Sequence, residues 1–66
     1  MNENMLKGYI VKTFGTQTNC ASEYPMSMAT LSRKINGIDD FTKREMEWLR
    51  DKCKMSDKDF LIIFFS

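Results

Sequence analysis

Two short helical patterns, one opening at Thr16 and the other at Ser27, meet across a turn at Pro25 and Met26, and this spacing restricts the fold more than any other feature of the chain. Each opens on a hydroxyl residue placed to accept hydrogen bonds from the free N–H groups of a first helical turn. Pro25 ends the first pattern, because it has no N–H to donate and disfavours helical backbone at Tyr24 before it. Asn36-Gly37 ends the second, with glycine at the C′ position where a left-handed residue is wanted. Cys20 and Tyr24 lie four apart on the inward side of the first pattern, and Ala21 beside them is small enough for a crossing helix to approach. Leu31 and Ile35 form the inward stripe of the second, with Met28 one turn earlier at its edge. The other side carries Ala29, Thr30, Ser32, Arg33 and Lys34. Two short helices joined by so tight a turn read as a helix-turn-helix.

The flanking segments predict three further helices. Leu6, Ile10 and Phe14 recur every four residues, with Tyr9 nearby, and Asn2 or Asn4 can cap this first helix. Gly15 offers the conformation that closes it, and Thr16 starts the next at once. Beyond Gly37, Asp39-Asp40 reads as a short acidic loop, a poor neighbour for phosphate and therefore expected to point away from any such ligand. Thr42 and Glu45 make a T-x-x-E capping box, with Phe41 and Met46 at the positions of a hydrophobic staple. Met46, Leu49 and Cys53 continue the buried stripe. Ser56 and Asp59 repeat the device, with Met55 and Phe60 at the staple positions. The run Phe60 to Phe65 is apolar all round; the cap favours a helix, and a strand pairing with a second subunit is the alternative.

At 66 residues the chain has room for one domain, 1–66, and a chain this short buries only about 60% of the surface its unfolded form exposes. Nearly every large apolar side chain is therefore needed inside or at a subunit interface. Cys20 and Cys53 each sit on an apolar stripe and nothing at the N-terminus resembles a signal peptide, so they read as reduced thiols in a cytoplasmic protein. With no histidine and no close cysteine pair, the usual zinc ligands and the usual general base are missing, and neither enzyme nor metal nor other cofactor is expected. Asp57 and Asp59, like Asp39 and Asp40, are explained as helix-start and loop charges. The longest apolar run is far below the roughly 20 residues needed to cross a bilayer, so no membrane partner is expected. The formal charge is only +1, so any attraction to nucleic acid must rest on where the cations lie.

Gly15-Thr16-Gln17, the tract Thr30-Leu31-Ser32-Arg33-Lys34-Ile35-Asn36-Gly37, Phe41-Thr42 and the terminal Phe64-Phe65 together resemble the Cro and repressor proteins of phages of Gram-positive bacteria, within the broad class of lambda-repressor-like helix-turn-helix regulators. The resemblance covers nearly the whole chain and is most specific from Thr30 to Gly37. It implies an all-α bundle of about five short helices that binds operator DNA as a dimer. Two positions depart from the pattern: Pro25 stands where the turn most often has glycine, and Lys34 stands at a commonly apolar position, with Ile35 taking over its packing.

Reading DNA requires a helix in the major groove whose N-terminal half presents side chains to base edges. By the resemblance these are Met28, Ala29, Ser32 and Arg33. A guanidinium such as that of Arg33 can bond O6 and N7 of guanine together, while Met28 and Ala29 suit thymine methyl groups. Gln17, at the start of the second helix, can hold a phosphate with its amide and the free N–H groups there; Thr16 beside it is explained most simply as the cap, with phosphate contact as the alternative. The family pattern adds Thr30, Lys34, Asn36 and Lys43 around the other strand. Trp48, Leu61 and Phe65 are more apolar than the first core stripe needs and are candidates for a dimer contact, which makes residues 56–66 a candidate dimerisation tail. Two recognition helices spaced about 34 Å apart would read an inverted repeat. The expected partners are thus double-stranded operator DNA and a second copy of the chain, with no small-molecule substrate and no ligand-sensing or cleavable second domain. A different class of function remains open to the same fold: a protein-binding module, such as an antirepressor or an inhibitor of a host factor.

Overall fold

Five α-helices and no strand make up the computed structural model, which describes residues 1–66: α1 (Glu3–Phe14), α2 (Gln17–Glu23), α3 (Met28–Ile35), α4 (Lys43–Cys53) and α5 (Asp57–Phe65). Every one of them starts on a side chain that accepts from its own first turn. Asn2 takes the N–H of Met5, Thr16 that of Asn19, Ser27 that of Thr30, Thr42 that of Glu45 and Ser56 that of Asp59. Loss of any such cap costs a helix about 1 kcal/mol, so five correctly spaced caps divide the chain at the places the sequence marks.

At Thr42 the capping box is complete, since Glu45 Oε1 also accepts from the Thr42 N–H at 2.8 Å. At Ser56 it is only half formed. The carboxylate of Asp59 turns away from the cap and accepts from the hydroxyl of Tyr9 on α1. The Asn2 N–H donates to the Ile63 carbonyl at 2.9 Å, so α5 is tied to α1 at two places and the apolar C-terminal run is helical.

Gly15 turns the chain between α1 and α2 at φ +84°, and the Asn19 side-chain amide closes the end of α1 by donating to the Phe14 carbonyl at 2.9 Å. α2 stops at Glu23, with Tyr24 extended before Pro25, and packs on both α1 and α3. Leu6, Ile10, Ile35, Leu49 and Ile63 are fully enclosed or nearly so, with Phe14, Cys20, Ala21, Leu31, Cys53 and Met55 completing one core. Met46, expected in that stripe, is half-buried, while Phe41 places its ring edge-on against Phe64 with centroids 5.6 Å apart. Both cysteines are free and buried. Burial, aided by the nearby Cys53 and Glu23, pushes the Cys20 thiol up to about 11, so it stays protonated at neutral pH. No helix is long and apolar enough to cross a membrane.

Candidate nucleic-acid interface

Leu31 and Ile35 anchor α3 in the core, and that anchorage fixes which side chains are left outside. Met28, Ala29 and Arg33 are exposed and Ser32 half-buried, and the helical repeat brings 28, 29, 32 and 33 onto one outer side. Met28 Sδ lies 3.9 Å from Thr18 Oγ1, which sets the first turn of α3 beside the first turn of α2. Thr16 is exposed and Gln17 half-buried at that end of α2. Thr30 is half-buried with its hydroxyl accepting from Ser27 at 2.8 Å, and the exposed Asn36 donates to Ser32 Oγ at 3.4 Å. Lys43 is exposed at the first position of α4.

The cations of α3 are not free. Arg33 donates from Nε to Asp39 Oδ2 at 2.8 Å and from Nη2 to Oδ1 at 3.3 Å. The acidic loop, expected to point away, instead folds back on α3. Gly37 takes φ +77°, and the N–H groups of Ile38 and Asp39 both reach the Arg33 carbonyl, at 2.9 and 3.3 Å. The hydrogen bonds from Arg33, opposed by partial burial and helped by the charges of Arg33 and Lys34, hold the Asp39 carboxyl below its usual range and keep it ionised at neutral pH.

Lys34, expected as a free phosphate ligand, donates from Nζ to both oxygens of Glu45, at 2.6 and 2.7 Å, with the two side chains only 14% and 10% exposed. A phosphate would have to displace a nearly enclosed carboxylate to reach it. No spacing rule joins residues 34 and 45, because the contact depends on where the tertiary fold sets the start of α4 relative to α3. Lys34 is nearly enclosed and meets a charge at the start of α4.

Of the three residues expected at a dimer contact, Trp48 is half-buried, stacked on Phe14 with centroids 5.6 Å apart and edge-on to Tyr24 at 5.1 Å. Leu61 and Phe65 are left 57% and 63% exposed on one side of α5. The cleft between α2, α3 and α4 is lined by Cys20, Ala21, Tyr24, Met26, Leu31 and Trp48, and Glu45, its charged member, is already bonded to Lys34 and Thr42. No three His, Cys, Asp or Glu side chains lie close enough together to hold a metal ion. The chain matches no known family model, curated protein or solved structure.

Proposed function

We propose that this chain is a sequence-specific double-stranded DNA-binding regulator, a phage repressor of the Cro type that acts in the bacterial cytoplasm and binds inverted-repeat operators as a dimer. One observation carries the reading: α3 is anchored by Leu31 and Ile35 while Met28, Ala29, Ser32 and Arg33 share its outer side, next to the first turn of α2. With α3 in the major groove, Arg33 bonds guanine, Met28 and Ala29 meet thymine methyl groups, and Ser32 bonds a base edge. Thr16, Gln17, Thr30, Asn36 and Lys43 contact phosphates, which fixes register without reading sequence. Leu61 and Phe65 join two protomers.

A protein-binding role is the second reading. It is favoured by the engagement of both α3 cations with carboxylates, which weakens attraction to any polyanion, and by the exposed Leu61 and Phe65. Selection of binders from a pool of random duplexes separates the two. Enrichment of an inverted repeat supports the regulator; a pool that stays random after repeated rounds supports the protein-binding module.

A further inference from the structure

We propose that Asp39 is a specificity-determining residue that aims Arg33 at guanine and at the same time withholds its charge from phosphates. This rests on the DNA-reading assignment above. The carboxylate occupies the Nε–Nη2 edge of the guanidinium, at 2.8 and 3.3 Å. The parallel N–H pair at the Nη1–Nη2 end stays free, and such a pair matches O6 and N7 of guanine. With its side edge taken, Arg33 reads guanine end-on or not at all.

The carboxylate is held in place by the loop that carries it. The Ile38 and Asp39 N–H groups bond the carbonyl of Arg33 itself, and Gly37 at φ +77° makes the return possible. Asp39 is therefore anchored to the residue it orients. That anchorage distinguishes the pair from an ordinary exposed ion pair, in which two long side chains must each be immobilised. Arg33 and Asp39 remain 55% and 46% exposed, so the free edge is open to a ligand while the pair is intact. A phosphate approaching Arg33 meets the Asp39 charge beside it. A guanine edge, being neutral, does not. Asp39 thus lowers affinity for DNA at large while preserving the one contact that discriminates.

The test compares wild type, Arg33→Ala, Asp39→Ala and Asp39→Asn on the duplex enriched by selection, on that duplex with the Arg33-dependent guanine replaced, and on random duplex over a range of salt. Melting followed by circular dichroism verifies that each variant is folded, and the isosteric Asp39→Asn keeps the loop backbone if Asp39→Ala disturbs it. The expected result is that both Asp39 variants bind random duplex more tightly, with a salt slope steeper by up to about 0.9, and lose guanine preference by roughly fivefold or more. Equal gains on all duplexes with guanine preference intact would mean that Asp39 only masks charge, and would overturn the orienting role. An Arg33-dependent guanine preference that is the same with and without the Asp39 carboxylate would overturn it as well. Failure of wild type to prefer any duplex would instead remove the DNA-reading assignment, and this inference with it.

Discussion

Lys34 on α3 and Glu45 on α4 form a nearly enclosed ion pair in which one ammonium bonds both carboxylate oxygens, at 2.6 and 2.7 Å, while Oε1 also accepts the Thr42 N–H that starts α4. One carboxylate thus caps its own helix and pins the helix proposed to enter DNA. The orientation of α3 is coupled to the start of α4 through these atoms.

The pair sets an acid limit on stability. Burial favours the neutral Glu45 carboxyl, but the hydrogen bonds from Lys34 and Thr42, with the Lys34 charge, outweigh it and hold the pKa below the ordinary 4.5. A value lower in the folded than in the unfolded chain contributes stability that is complete above the unfolded value and is lost as pH falls through the folded one. Glu45→Gln should cost about 2–3 kcal/mol at neutral pH, since it removes a charged partner from a nearly enclosed lysine. Denaturant unfolding followed by the single tryptophan, Trp48, should show the gap between wild type and variant shrinking below about pH 4.5. A gap that does not change with pH would contradict the pairing.

Lys54 ends α4 in the left-handed conformation, at φ +55° and ψ +45°, without being glycine. Lys54→Gly should raise stability by about 0.5 kcal/mol, since relief of the side-chain penalty exceeds the loss of a cation at a helix C-terminus. Lys54→Val should lower it by about 1 kcal/mol. Melting temperatures of the two variants should therefore fall on opposite sides of wild type.

Trp48 joins α1, α2 and α4 through its contacts with Phe14 and Tyr24. Trp48→Ala should cost about 2–3 kcal/mol, less than a fully buried aromatic, and Trp48→Phe under half of that. Circular dichroism on melting measures both. Because the ring is engaged with Phe14 and Tyr24 of the same chain, Trp48→Phe should leave the oligomeric state unchanged.

Leu61 and Phe65 are more than half exposed and cations suit the end of a helix, so Leu61→Lys with Phe65→Lys should leave the fold within about 1 kcal/mol of wild type. Sedimentation equilibrium should then show a wild-type dimer becoming a monomer. A double variant that still dimerises would place the subunit contact elsewhere.

Much of the fold is legible in the sequence because helix starts and stops obey local rules. Thr16, Ser27, Thr42 and Ser56 each bond the N–H three residues on, and Gly15 and Pro25 stop helices by backbone geometry alone. The same local logic misleads at Asp59, whose carboxylate leaves the cap for Tyr9 fifty residues away. It also says nothing of Lys34 with Glu45, a contact between residues eleven apart, on two helices that only the tertiary fold brings together. Nor does composition reveal the Arg33–Asp39 pair: an acidic loop is expected to avoid a phosphate-facing helix, and only the return of the chain after Gly37 brings it there. At Lys54 the left-handed residue carries neither glycine nor asparagine, so the end of α4 has no sequence mark.

Whether the outer side of α3 reads DNA is decided by a mobility-shift titration against the DNA flanking the gene, with wild type, Arg33→Ala and the double variant Arg33→Ala, Gln17→Ala at several salt concentrations. Salt-dependent retention of one inverted repeat, reduced at least roughly fivefold by Arg33→Ala and abolished by the double change in a folded protein, is the expected result. Retention no better than on random duplex, or equal retention by all three proteins, would contradict it.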